Sequence, residues 1–245
     1  MNLYMVATPI GNLEDMTYRA VRVLSEVDVI ACEDTRHTAQ LLSHYGIHKK
    51  LIACHAHNEV ESSQGILALL DEGKNVAYCS DAGTPGVSDP GARLVEAVRS
   101  SERHSIIPLP GASAVVTLVS VAGNIGKSFT FEGFLSPKKG RRTKRLEKLF
   151  SDGNAFVIYE SPFRILKTLE DIKGVSPDCR IVAGRELTKT FEEIITGSIA
   201  SVIDKLKAKD RIKGEFALIV IPETDDDNSE EVPDSQTEST AEKGC

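Results

Sequence analysis

Asn75-Val76-Ala77-Tyr78-Cys79-Ser80-Asp81-Ala82-Gly83-Thr84-Pro85-Gly86-Val87-Ser88-Asp89-Pro90-Gly91 is the stretch from which the fold can be read. Val76 to Cys79 is a short apolar run and predicts a buried strand. The run stops at Ser80 and Asp81. Gly83, Gly86 and Gly91 permit positive φ and close approach of a ligand to the backbone, while Pro85 and Pro90 stiffen the loop between them. Asp89 is expected to cap a helix whose first residue is Pro90, with Leu94, Val95 and Val98 as its apolar face. An acidic, glycine-rich loop thus follows a buried strand, where open α/β sheets bind ligands. The plain alternative is a well-formed βα turn.

The same strand-then-helix rhythm extends in both directions. Upstream, apolar runs at 3–10, 27–31 and 51–54 predict strands, with helices over about 17–24, 38–45 and 60–72. Downstream come a strand at 105–109 and an apolar helix that enters through Pro110-Gly111-Ala112-Ser113-Ala114 and reaches about Ala122. This alternation predicts a mainly parallel sheet with helices on its faces. After Gly123-Asn124-Ile125-Gly126 the rhythm changes. Strands are expected at 129–135, 155–159, 181–183 and 216–221, with a possible hairpin partner at 191–195 and helices at 162–173 and 199–208. Residues 136–145 read as loop. The expected organisation is an N-terminal α/β unit at 1–123, a mixed-sheet α/β unit at 124–222 and an acidic tail at 223–245.

Length and composition narrow the classes. The 245 residues are 41% hydrophobic, enough for one large or two small cores. No run of 18 apolar residues predicts a membrane span, and the N-terminus has no secretory-leader pattern. Five widely scattered cysteines with no Cys-x-x-Cys suggest neither a disulfide framework nor zinc, and fit a reducing, cytoplasmic setting. The net charge of −7 comes from the tail, where 223–245 hold nine acidic residues and one basic one. That tail has no aromatic residue or periodicity and is expected to be unstructured. The preceding 222 residues carry +1, so their local charge clusters matter more than the total.

The chain lacks a Gly-x-x-x-x-Gly-Lys-[Ser/Thr] loop, a Gly-x-Gly-x-x-Gly after a strand and a Gly-x-Ser-x-Gly elbow. P-loop nucleotidases, ordinary Rossmann enzymes and α/β-hydrolases are therefore disfavoured. His55-x-His57-x-Glu59 has the residue types of a metal site, but the expectation is a polar strand end without metal. Glu33-Asp34-Thr35-Arg36, Ser80-Asp81, Glu160-Ser161 and Arg185-Glu186 end strands in both halves with chemically capable side chains, which suggests a cleft between two units. Lys138, Lys139, Arg141, Arg142, Lys144 and Arg145 place six bases in eight residues. Such a run can engage nucleic-acid phosphates, and its bland alternative is a solvated face. Nearby Phe129, Phe131 and Phe134 are expected in the core.

Together, Thr8-Pro9-Ile10-Gly11-Asn12-Leu13, Glu33-Asp34-Thr35-Arg36, His57-Asn58-Glu59, Ser80 to Pro85, Pro108-Leu109-Pro110-Gly111, Glu132-Gly133-Phe134-Leu135, Tyr159-Glu160-Ser161, Arg185-Glu186-Leu187-Thr188-Lys189 and Lys213-Gly214-Glu215 form an ordered set. It resembles the ribosomal RNA small subunit methyltransferase I family, a branch of the tetrapyrrole methylase superfamily, over about residues 1–222. The resemblance implies two α/β domains with S-adenosylmethionine (SAM) in the cleft between them, a homodimer, and 2′-O-methylation of a cytidine in the decoding region of 16S rRNA. It implies cofactor contacts at Pro9, Ile10, Ser80, Asp81, Thr84, Ser113, Ala114, Tyr159, Glu160, Arg185 and Phe216, and no metal. Relatives commonly continue into a small C-terminal helical domain, where this chain has its acidic tail. A ribose hydroxyl attacks poorly until its proton is removed, so a general base is useful. Glu33, Asp34, Glu160, Glu186 and Lys189 are candidates, the last only with a depressed pKa. Arg36 and Arg185 are candidates for holding phosphate. The basic run is expected to bind the 16S rRNA or the small ribosomal subunit. A porphyrinoid methylase on the same scaffold and a non-catalytic RNA-binding or ribosome-assembly protein are the alternatives.

Overall fold

Glycine-bounded apolar runs too short for helices pair side by side in the first sheet. In the computed structural model, which describes residues 1–55 and 59–223, they are β1 (Asn2–Val6), β2 (Val29–Cys32), β3 (Lys50–Ala53), β4 (Val76–Cys79) and β5 (Ser105–Leu109). All pairs are parallel, in the order β3-β2-β4-β1-β5. β2 and β4 are buried along their whole length, as parallel strands with both faces covered must be. On one face α1 (Tyr18–Glu26) and α2 (Thr35–His44) bring Ala20, Val23, Leu24 and Leu42 against Val6, Ile30 and Cys79. On the other, α3 (Glu59–Asp71) and α4 (Ala92–Ser101) bring Ile66, Leu70, Leu94 and Val98 against Leu3, Val76 and Tyr78.

The strand order fixes where a crevice opens. From β1 the chain winds one way to β2 and β3, then returns across the sheet to β4 and β5. Right-handed crossovers put the two directions of winding on opposite faces. The reversal falls between the neighbours β1 and β4, whose loops leave toward different faces and part at the carboxyl edge.

The second sheet contains β6 (Phe129–Phe134), β7 (Ala155–Glu160), β8 (Arg180–Arg185), β9 (Glu193–Ser198) and β10 (Phe216–Ile221), in the order β6-β7-β10-β8-β9. β6 and β7 are parallel, and every other pair is antiparallel. Because central β10 runs against both β7 and β8, the ends of β6, β7 and β8 and the start of β10 emerge at one edge. One face of this sheet is covered by α6 (Lys139–Ser151), α7 (Ile165–Val175) and α8 (Ile199–Lys207). The other receives α5 (Ala114–Ser120), whose Val115 and Leu118 pack on Val157, Val182, Ala217 and Ile219. The helix after β5 thus leaves its own sheet and joins the two halves. The expected α/β class, with a mainly parallel first sheet and a mixed second one, is what the chain adopts.

Four local expectations are corrected. Helix α4 begins at Ala92, after Gly91 at φ 130°, and Asp89 does not cap it. The cap comes from across the sheet face: a Glu59 oxygen accepts from the amides of Gly91 (2.9 Å) and Arg93 (3.0 Å). Tertiary contact has replaced the local side chain. Glu59→Ala is expected to lower stability by about 1–2 kcal/mol, the scale of a lost helix cap, seen as a lower urea midpoint at unchanged slope.

The basic stretch is helix from Lys139 onward, and Arg142 and Arg145 are not free in it. Arg142 is 1% exposed and its guanidinium is bound to Asp171 of α7, with further bonds to the carbonyls of Ser136 (2.9 Å) and Pro137 (3.2 Å). Arg145 is held by Glu132 at 2.5 and 2.8 Å. Finally, Phe129 (38% exposed) and Phe134 (62%) do not belong to the core. A register shift between Phe131 and Gly133 adds a residue and sets Phe134 opposite Tyr159 at the strand end, on the side that lines the cavity. The acidic tail beyond Glu223 and His57 of the His-x-His-x-Glu trio lie outside the described residues. No helix among those described is long and apolar enough to cross a membrane.

Candidate active site

The loops after β1, β4 and β5 are stitched together by groups too buried to face water. Thr8 and Gly83 exchange both amide hydrogen bonds at 3.0 Å, which the φ of 82° at Gly83 allows. The Thr8 hydroxyl donates to the Ser80 carbonyl (3.2 Å), the Ser80 hydroxyl to the Gly83 carbonyl (3.1 Å) and the Thr84 hydroxyl to the Ala112 carbonyl (3.1 Å). Gly111 lets the β5 loop press on β1, since a Cβ there would sit 2.9 Å from the Ala7 methyl. The carboxyl edge of the first sheet is therefore a rigid backbone cradle.

Opposite it stands the edge of the second sheet. Glu186 (φ 51°) and Thr188 (φ 68°) both adopt left-handed backbone without being glycine, a cost that tends to persist where function needs the geometry. Their loop is latched to the start of β10. The Glu186 amide donates to the Glu215 carbonyl (3.0 Å), and the Glu215 amide to a Glu186 carboxylate oxygen (2.9 Å). Lys189 Nζ donates to Glu186 (2.9 Å) and Glu215 (2.8 Å). Its stem crosses Gly11, where any Cβ would overlap it, so the β1 loop and the β8 loop meet directly.

Between the two edges lies a cavity of about 420 Å³. Ile10, Thr84, Asp89, Ser113 and Ala114 line it from the first sheet; Phe134, Tyr159, Glu160, Gly184, Glu186, Leu187, Lys189, Glu215 and Phe216 line it from the second. Of the expected cofactor contacts, Ile10, Thr84, Ser113, Ala114, Tyr159, Glu160 and Phe216 face this space. Ser80 is a buried staple behind it. Pro9 and Asp81 line a neighbouring hollow of about 250 Å³ with His37 and Gln40, and Asp81 accepts the Asp34 amide at 3.0 Å. Arg185 turns away, bonded to Glu193 (2.8 Å) and the Lys213 carbonyl (3.1 Å).

The candidate acids and bases differ sharply in environment. Glu160 is 2% exposed, and its oxygens already accept from the Ser161 amide (2.8 Å) and the Thr168 hydroxyl (2.7 Å), with Arg164 at 3.1 Å. Burial works against charge on Lys189, but hydrogen bonds from it to Glu215 and Glu186 outweigh this and raise its pKa, so it is a cation near neutrality. Glu186 is drawn below the ordinary range: burial raises it, and the Glu215 amide and Lys189 more than offset that. Asp34 caps α2, and its hydrogen bonds with Arg36 pull its pKa to about 2; both lie at the solvent surface outside the cavity. Glu33, also outside, is raised by burial and by the charges of Asp81 and Asp89.

Asp89, Phe134, Leu187 and Glu215 are cavity residues that sequence reasoning did not single out. Phe134, Leu187 and Glu215 do stand in quoted motifs, and Asp89 has the local form of a cap. Tyr159, edge-on to Phe131 (5.1 Å) and Phe134 (5.6 Å), is pushed by burial and by Asp89 up to about 12, against a bond with the Val115 backbone, and stays a neutral phenol.

Two α/β sheets joined by α5, with a cavity where their strand ends meet, are the architecture of the tetrapyrrole methylases, and the model of the Tetrapyrrole (Corrin/Porphyrin) Methylases family matches residues 2–203. The solved cobalt precorrin-4 methyltransferase of cobalamin biosynthesis superposes with a TM-score of 0.63 at 16% identity, covering 89% of this chain and 94% of that one. The uroporphyrin III C-methyltransferase of Thermus thermophilus gives 0.62 at 14% identity, covering 90% and 97%. At such identities the likeness speaks for the fold alone. Sequence relatives are much nearer. The ribosomal RNA small subunit methyltransferase I of Borrelia garinii subsp. bavariensis is 48% identical over 219 residues, 89% of this chain and 97% of that protein. That of Haemophilus influenzae is 45% identical over 232 residues (94% and 82%), and that of Bacillus subtilis 42% over 234 (96% and 78%). The chain belongs to the ribosomal RNA small subunit methyltransferase I family.

Proposed function

We propose that the protein transfers a methyl group from SAM to the 2′-oxygen of a cytidine ribose in the decoding region of 16S rRNA. The observation that carries this is the cavity at the strand-end edges of both sheets, in a chain 42–48% identical to relatives bearing that family name. Its volume suits a nucleoside-sized ligand. Apolar walls from Ile10, Ala114, Leu187 and Phe216 suit an adenine, Lys189 a carboxylate, and Glu186 a cationic amine. SAM, when bound, supplies an activated methyl group, so the protein's task is to align the ribose oxygen and manage its proton. Pro9, Ser80 and Asp81 act in this reading from behind the cradle, and Arg185 by fixing the edge of β8. Arg36 remains a candidate for RNA phosphate, since its guanidinium lies at the surface. Glu33, Asp34, Glu160, Glu186 and Lys189 contribute charge and positioning.

An RNA substrate is supported by the rim. Phe134 (62% exposed), Phe163 (96%) and Phe191 (73%) lie in or beside cavity-lining segments and offer faces on which unpaired bases can stack. Lys138, Lys139, Arg141 and Lys144 are exposed at the start of α6, which follows the Phe134 strand. A ribosomal substrate puts the protein in the cytoplasm. The units 1–123 and 124–222 and a homodimer complete the proposal.

The test is incubation with labelled SAM and small-subunit particles, followed by mapping of the modified nucleotide. Methylation of a base, or of a porphyrinoid in place of RNA, would refute it; RNA binding indifferent to SAM without methyl transfer would favour a non-catalytic protein. Separately, Ala114→Trp should fill the cavity and weaken SAM binding at least about tenfold by calorimetry, a cost of about 1.4 kcal/mol or more. Unchanged affinity in the folded variant would move the cofactor elsewhere.

A further inference from the structure

We propose that Asp89 is the general base that accepts the 2′-hydroxyl proton. This rests on the reading of the site as a ribose methyltransferase. The carboxylates around the cavity can be compared one by one. Glu160 has both oxygens occupied by hydrogen-bond donors and an arginine. Glu186 accepts an amide and an ammonium through one oxygen, and Glu215 shares that ammonium. Asp89 lines the cavity, is half-buried and accepts no hydrogen bond from any described residue. The helix beside it does not need it, because Glu59 caps α4. Its oxygens are therefore available to a substrate hydroxyl.

The groups that face it make it a better proton acceptor than an ordinary aspartate. Burial raises its pKa first, and the charge of Asp81 from the same loop adds to it. Glu33 from the β2 end, Tyr78 of β4 and Tyr159 of β7 feel its charge in turn. None of these neighbours is a cation, so nothing among them holds Asp89 ionised. A carboxylate with a raised pKa is a stronger base while still ionised near neutrality.

The step balances without a metal or a further reagent. The proton of the 2′-hydroxyl passes to an Asp89 oxygen as the ribose oxygen bonds to the methyl carbon. The pair of the broken carbon–sulfur bond stays on sulfur, which becomes a neutral thioether. Asp89 then returns the proton to water.

Asp89→Asn keeps shape and removes basicity. In single-turnover assays on small-subunit particles it should lower the rate about 10²-fold or more, the usual worth of general base catalysis. SAM affinity by calorimetry and particle affinity by filter binding should change less than about threefold. The wild-type rate should fall as acid protonates one group, and that limb should be missing in the variant. Independently of activity, a carbon-13 NMR titration of the apo protein should show the Asp89 carboxyl titrating above the usual aspartate range. A variant within about threefold of the wild-type rate would overturn the proposal, as would a persisting acid limb. Lost SAM binding would make Asp89 a cofactor ligand instead, and an NMR pKa at or below the usual range would overturn the assignment even if the variant failed to fold. If the wild-type protein itself methylates no ribose, the functional reading fails first.

Discussion

Arg142→Ala is expected to cost about 3–5 kcal/mol of stability, the range for breaking a buried ion pair from one side. Arg142 and Asp171 have side chains only 1% and 9% exposed, so removing the guanidinium leaves a carboxylate without its partner and away from water. The Ser136 and Pro137 carbonyls lose their donor as well. For a chain of this size such a loss corresponds to roughly 6–20 °C in melting temperature. The pair also ties the start of α6 to α7, so the unfolding transition should broaden if α6 detaches first. Replacing both partners together, Arg142→Met with Asp171→Leu, should recover most of the loss, because an apolar pair of similar volume leaves nothing unpaired. Thermal and urea unfolding of the two single variants and the double one would check this. If Arg142→Ala melted within a degree or two of the wild type, the ion pair would have no part in holding α6.

The second large effect concerns RNA and follows from the first. Because Arg142 is structural and Arg145 is held by Glu132, the cations free to meet phosphate at the start of α6 are Lys138, Lys139, Arg141 and Lys144. Replacing those four by Ser, and leaving the two paired arginines alone, should weaken RNA binding and flatten its salt dependence. Each phosphate contact on single-stranded RNA contributes roughly 0.7 to the logarithmic slope, so the slope should fall by up to about three if all four are engaged. Melting temperature and SAM affinity should stay nearly constant, since all four side chains are at the surface and none lines the cavity. Filter-binding titrations at several salt concentrations give the slope. An unaltered slope would mean that the helix end is only a solvated face and that RNA docks elsewhere.

Local chemistry accounts for much of what the sequence made legible. The parallel sheet could be read because β2 and β4, buried on both faces, are unbroken apolar runs, and because loops rich in glycine and proline end them. The strand-end loops could be read as a site because polar residues recur at the carboxyl ends of strands in both halves. Fine boundaries were less legible. Pro9 and Ile10, for instance, lie beyond the end of β1, because the chain leaves the sheet at Ala7 to bridge Thr8 with Gly83.

What misled was decided at long range. Asp89 followed by Pro90 has the local form of a helix start, yet the cap is supplied by Glu59, thirty-two residues away, through its contact with the Gly91 amide. A run of bases has the form of a repelling loop, yet Asp171 and Glu132, on other elements, neutralise two of them and let the segment be helical. Phe134 sits in an apolar strand, yet the bulge at Glu132 sets it beside Tyr159 at the cavity edge, where it stays exposed.

By itself, the sequence determined the α/β class, the strand-end loops and the family, because those depend on runs, turn residues and an ordered motif set within the chain. Only the tertiary structure decided which carboxylates are consumed by helix caps and ion pairs, which arginines are buried, and which side chains share the cavity. Those outcomes depend on a partner's position in space, which spacing along the chain does not encode, and on burial, which sets whether a charge is satisfied or left free to act.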